Sequence, residues 1–172
     1  MHSAKPTGID KRPLAELIAR ESTRKADSRA ELDLAAGATI YYSSENREHP
    51  VEHMIDGSSG RGASRWIAAR RDTTEQLVLQ FHAPADISRI EFEVEEAQLE
   101  RTQEVTAEYS MDGGETYRRA FVQEYTFSPH GSTYQRECLA VQLRGVTQLR
   151  LTIVPHKGGS GAATLTSLRL YC

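Results

Sequence analysis

The chain has 172 residues, 38% hydrophobic and 26% charged, enough for one soluble globular domain and short for two. Its 21 basic and 24 acidic residues give a net charge of −3, which argues against a dedicated DNA-binding protein whose affinity rests on neutralising phosphates. Two cysteines, Cys138 and Cys172, cannot build a disulfide scaffold, and no apolar run approaches the roughly 18 residues of a membrane span.

Residues 1–36 read as an arm. They hold 7 basic and 6 acidic side chains and no aromatic, a balance of +1. Met1 to Lys11 is polar, without the apolar stretch of a secretory signal, so a reducing cytoplasm with free thiols is the expected compartment. Pro13 suits the first turn of a helix, with Asp10 a nearby cap. Leu14, Leu17 and Ile18 then fall at i, i+3 and i+4, the stripe of a short helix. Such a helix packs on its own domain or docks a partner.

From Gly37 onward the apolar period becomes 2. Leu77, Leu79 and Phe81 form one alternating row, Ile90, Phe92 and Val94 the next, and Val105, Ala107 and Tyr109 a third. Leu139, Val141 and Leu143, then Leu149, Leu151 and Ile153, then Leu168 and Leu170 complete the series. This alternation is that of strands with one buried and one wet face. Glu91, Glu93 and Glu95 accordingly read as a solvent face. Pro84-Ala85-Asp86 reads as a break between two strands, and Asp112-Gly113 as a hairpin turn because it tolerates positive φ. Pro129 to Ser132 and Gly158 to Gly161 mark longer loops. About eight strands without a strong helix between them predict an all-β, antiparallel, jelly-roll-like β-sandwich over 37–172, with a short helical N-terminal arm over 1–36.

Several chemical signatures are present in letter only. His49-Pro50-Val51-Glu52-His53 has zinc-protease spacing, but Pro50 lets a helix at best begin there, and no third ligand is evident. Gly158, Gly159 and Gly161 lack the Lys-Ser/Thr and helix of a phosphate loop. Cys138 lies in a strand beside Leu139 and reads as a buried thiol.

Three segments carry a family resemblance. The first is Val51-Glu52-His53-Met54-Ile55-Asp56-Gly57 followed by Ser64-Arg65-Trp66. The second is Glu75 to Phe81 followed by Ile87-Ser88-Arg89-Ile90-Glu91-Phe92. The third, Ala107-Glu108-Tyr109-Ser110-Met111-Asp112-Gly113-Gly114-Glu115-Thr116-Tyr117, is the most specific. In this order they resemble the discoidin family, also called coagulation-factor C-type or galactose-binding-like domains.

The resemblance implies a recognition module without catalysis, binding through loops at one end of the sandwich. Members bind sugars, lipid head groups or other proteins. The expected partner here is a carbohydrate, or alternatively a protein docked through the loops or the arm. Neither nucleic acid nor membrane insertion is expected, since the loops offer no exposed apolar spike. The candidate ligand-binding residues are Tyr42, Asn46 and Arg47, then Arg70 and Arg71, then His156 and Lys157. Some members hold a structural Ca²⁺, for which Asp56 and Ser64 match two liganding positions. Ser167 stands where the family often places an acid; the expectation is that no cofactor is required, with a structural Ca²⁺ at Asp56 and Ser64 as the alternative.

Overall fold

The computed structural model describes Leu14 and residues 30–172. The predicted helical stripe lies outside the described residues apart from Leu14, which is exposed. The chain divides into two compact units, Met1–Ala30 and Glu31–Cys172. The second unit thus includes residues 31–36, which the composition grouped with the arm. Leu32 donates its N–H to the Leu170 carbonyl at 2.8 Å, and Leu34 is buried in the core. Leu34 opens a one-turn helix, α1 (Leu34–Gly37), capped by the Asp33 carboxylate, which accepts the Ala36 N–H at 3.1 Å. Among the described residues no helix is long and apolar enough to cross a membrane.

Eight strands follow. They are β1 (Ala38–Tyr42), β2 (Trp66–Arg71), β3 (Glu75–Glu95), β4 (Arg101–Ser110), β5 (Arg118–Phe127), β6 (Tyr134–Val154), β7 (Ala162–Leu165) and β8 (Ser167–Tyr171). All pairings are antiparallel. The pattern predicted eight strands but divided them differently. β3 and β6 run 21 residues each, and each contains two of the predicted rows. Their mutual register shifts between Gln80 and Arg89. Before the shifts, Glu75–Gln80 and its β6 partners lie between β1 and β4, with β5 outermost. After them, Arg89–Glu95 lies between the start of β6 and β8. One pair of strands therefore serves both layers, and β2 with β7 forms a separate two-stranded sheet.

Pro84 falls where the register is lost, and strand geometry continues through it. The predicted break is instead an irregularity within one strand. Asp86 holds it by accepting the Gly145 N–H at 2.9 Å and pairing with Arg144 at 3.0 Å. The Asp112-Gly113 turn joins β4 to β5 as predicted, with Gly113 at φ 74°. Asp112 accepts bonds from Ser110 and Thr116, which lower its carboxyl to about 2.

The inward rows form the core. Trp66, Leu77, Leu79, Ile90, Val105, Leu151 and Leu165 are buried, at roughly 1.5–3 kcal/mol for each large side chain. The layers meet where Phe92 of β3 stacks on Phe121 of β5, ring centroids 5.7 Å apart.

Two further expectations fail. Glu91 and Glu93 are buried, at 9% and 6% exposure, and so form no solvent face. Arg89 and Arg136 pair with Glu91 at 3.2 and 3.4 Å, and loop residues Gly60 and Gly62 donate N–H groups to Glu93 and Glu95. Alternation separates the two faces of a strand but does not report what later covers the polar one. Cys138, expected to be buried, is exposed on that same outer row. Partial burial and neighbouring Glu91 push its thiol pKa up, which lowers its reactivity.

Candidate functional site

Two carboxylates fasten three loops together. Glu75 opens β3 in phase with Leu77 and Leu79 and is fully buried. It accepts bonds from Arg70 at 3.0 and 2.9 Å, from the Ser44 hydroxyl at 2.9 Å and from the Ser43 hydroxyl. Burial pushes this carboxyl up, and Arg70 with the serines outweighs it, leaving the pKa below the usual range. The loop after β1 is thereby tied to the end of β2. The Trp66 indole N–H adds a bond to the Ser44 carbonyl at 3.1 Å.

Asp72 makes the second tie. It is the one non-glycine residue with positive φ among the described residues, at 55°. Its carboxylate accepts the Gly161 N–H at 2.8 Å and the Ser160 hydroxyl at 2.9 Å, and its own N–H donates to the Gly161 carbonyl at 2.8 Å. The Gly161 bond is the main reason its carboxyl lies below the usual range. These bonds hold the left-handed turn after β2 against the loop before β7. His156 stands 3.5 Å from the same carboxylate, and Arg71 donates to the Ser160 hydroxyl at 3.1 Å.

Beside this tie lies a cavity of about 540 Å³. Its charged lining is Arg65, Arg71, Arg101, Glu95 and Glu96, with His49 also on its wall. Arg65 pairs with Glu95 at 2.9 Å and Arg101 with Glu96 at 3.2 Å. Arg101 is almost wholly buried, and desolvation lowers its pKa. It donates to the carbonyls of Pro155 and Ala162 at 2.9 and 2.7 Å, while its Nε has no partner. Arg71 makes no ion pair among the described residues, so its fork is the cation there not matched to a carboxylate. Ile67 and Leu99 supply apolar wall.

The predicted ligand residues separate into groups. Arg71 reaches the cavity, and His156 joins it through Asp72. Arg70 is half-exposed, with its fork committed to Glu75. Asn46 uses its side-chain oxygen within its own loop, accepting the Glu48 N–H at 2.9 Å. Tyr42 and Arg47 are exposed, and a hydrogen bond with Glu45 raises the Tyr42 pKa. Lys157 is held by Glu104 at 2.7 Å and by Glu124. Sequence reasoning placed Asp72 in a candidate loop beside Arg71 but missed Glu75, Arg65, Glu95, Glu96 and Arg101 as site residues. Two of these were visible: Glu75 and Arg101 stand in buried alternating rows.

Metal donors are poorly assembled. Asp56 accepts bonds from the Ser58 N–H at 2.9 Å, the Ser58 hydroxyl at 2.6 Å and the Ser64 hydroxyl, which together outweigh burial and lower its pKa. Among the described residues no group of three or more His, Cys, Asp or Glu side chains is placed to hold a metal. A Ca²⁺ shell of six to eight oxygens, usually with more than one carboxylate, does not fit this donor set. His49 precedes and His53 lies within a 3-10 turn (Val51–Met54), their ring centroids 6.3 Å apart, and such a turn lacks the α-helical face that zinc-protease spacing requires.

The F5/8 type C domain matches residues 39–167. The chain belongs to this family. Solved structures share the F5/8 type C fold. The family 32 carbohydrate-binding module of Clostridium perfringens NanJ, solved with galactose, is 14% identical with a TM-score of 0.57, over 84% of this chain and 99% of that one. A second C. perfringens module, in complex with GalNAc-β-1,3-galactose, is 15% identical with a TM-score of 0.58, over 83% and 100%. A third, in complex with GlcNAc-α-1,4-galactose, is 12% identical with a TM-score of 0.60, over 83% and 95%. At these identities the likeness is one of fold. No curated protein matches the chain.

Proposed function

We propose that this F5/8 type C domain binds carbohydrate, without catalysis, in the cavity lined by β2, the β3–β4 loop and β7. The observation that carries the proposal is a polar cavity of about 540 Å³ whose arginines and carboxylates are fixed in place before any ligand arrives. Its volume lies within the range of small-molecule sites, roughly 300–1,000 Å³. Sugar hydroxyls donate and accept at once, and paired arginine and carboxylate groups answer both needs. Ile67 and Leu99 offer surface for the apolar face of a ring. The galactose-containing ligands of the fold neighbours make galactosides the first probes.

A glycan array followed by titration calorimetry tests the proposal. Saturable binding is expected, and Arg71→Ala weakens it about tenfold, the loss of one charge-assisted hydrogen bond. Absence of saturable binding, or affinity unchanged by Arg71→Ala, removes it.

A further inference from the structure

We infer that Arg169, with Ser58 and Ser64, closes the Asp56–Ser64 loop in place of a metal ion, so that the domain folds and keeps this loop without calcium. The inference concerns a different part of the fold from the carbohydrate cavity and does not depend on that reading.

A calcium-binding loop gathers oxygens whose lone pairs converge on one point, commonly with several carboxylates to balance the charge. This loop is organised the other way, with donors aimed at its oxygens. Asp56 faces one backbone N–H and two hydroxyls, all donating to it. The next oxygen along the chain, the Gly57 carbonyl, accepts Arg169 Nη2 at 3.0 Å. A guanidinium at that carbonyl repels any dication brought beside it. The β3 carboxylates nearest the loop are also engaged: Gly60 donates to Glu93 at 2.7 Å and Gly62 to Glu95 at 2.8 Å. On the final strand Ser167 is buried and brings no negative charge, and Arg169 brings a positive one.

Arg169 does more than cap one carbonyl. Its Nε stands 3.9 Å from the Glu31 carboxylate, and Glu31 forms a β-bridge with Tyr171. One guanidinium therefore joins the loop after the 3-10 turn, the last strand and the segment that enters the sandwich. It is a delocalised cation with a planar fork, suited to several oxygen acceptors at once, and it is supplied by the chain itself.

Thermal unfolding of the full chain in EDTA and in millimolar calcium chloride, beside calorimetric titration with calcium chloride, tests this. The two melting temperatures are expected to agree within about 1 °C, with no saturable heat, because a ligand that binds only the folded state would raise the midpoint. Arg169→Gln lowers the midpoint in EDTA by about 3 °C, the scale of one lost charge-assisted hydrogen bond in a domain this size. Arg169→Lys, which keeps the charge without the fork, recovers part of that loss. A calcium-dependent rise of several degrees in the unaltered chain, or a saturable calcium heat, overturns the inference. So does Arg169→Gln melting with the unaltered chain. Should Arg169→Gln fail to fold, the unaltered chain still decides the calcium question, and a lysine variant melting below it supports the arginine's role.

Discussion

The cavity rim and the Asp56 loop use the same chemistry to opposite ends. In both, carboxylates grip loop backbone and hydroxyls. In the Asp56 loop the polar groups answer one another and groups from β3 and β8: Asp56, Ser58 and Ser64 bond among themselves, Arg169 donates to the Gly57 carbonyl, and Glu93 and Glu95 accept the Gly60 and Gly62 N–H groups. At the rim Glu75 grips from behind the surface, while the exposed Asp72 grips from the turn itself. Together they fix the loops and leave the Arg71 fork directed at the cavity with a single hydroxyl partner. Glu95 belongs to both regions, since it holds Gly62 in the loop and lines the cavity through its pair with Arg65. A loop closes or opens according to where its counter-charge is stored.

The strongest way to break this contrast is to remove the store. Glu75→Ala strips a buried acceptor from Arg70, Ser43 and Ser44, and is expected to cost about 2–3 kcal/mol, lowering the melting temperature by about 6 °C. Unchanged melting would show that the rim does not depend on it.

Acid is the next lever, and it acts on both regions. Asp56, Asp72, Glu75 and Asp112 all have folded-state pKa values below their ordinary ones. Depressed carboxyls contribute stability that is present above the ordinary value of about 4 and is lost as the pH falls through the folded value. The melting temperature is thus expected to hold from neutral pH to about 5 and then fall, with the Asp112 contribution lost only near pH 2. Glu75→Gln should make the fall shallower, and a profile identical to that of the unaltered chain would remove Glu75 from the account.

Asp72→Ala sharpens the contrast by separating stability from binding. It unfastens Ser160 and Gly161, so sugar affinity is expected to drop about tenfold while melting changes less than for Glu75→Ala. Asp72→Asn, which keeps an acceptor and tolerates the left-handed turn, should retain most of the affinity. The smallest effect is expected at Lys157→Gln, which leaves affinity within about twofold because Lys157 is bound to Glu104 and Glu124. A large loss on calorimetric titration would place Lys157 in the site after all.

Much of the fold was legible. The period-2 rows marked the buried faces of β3, β4, β6 and β8, and Asp112-Gly113 marked its turn. β2 and β7 were not marked as strands, because each is short and neither sustains an alternation: β2 ends in three exposed residues and β7 has three buried ones in succession. Pro84 misled because a proline ends a central strand but not an irregular one whose ladder bond is already missing. Of the candidate site, Arg71 and His156 were named by residue type, since arginine and histidine in loops invite a ligand; Arg71 lines the cavity and His156 stands beside it at Asp72. Arg70 and Lys157 were chosen on the same grounds and prove to be engaged, because residue type does not report a partner distant in sequence.

What the sequence determined by itself was the periodicity, and with it the strands, the core rows and the family. These depend on neighbours within a few residues along the chain. Which polar groups are satisfied was decided only by the tertiary structure. Glu93 meets Gly60, Arg101 meets Pro155 and Ala162, and Arg169 meets Gly57, each across 33 to 112 residues of chain. A charge becomes a scaffold or a binding group according to whether folding brings it a counterpart, and alternation along a strand carries no record of that.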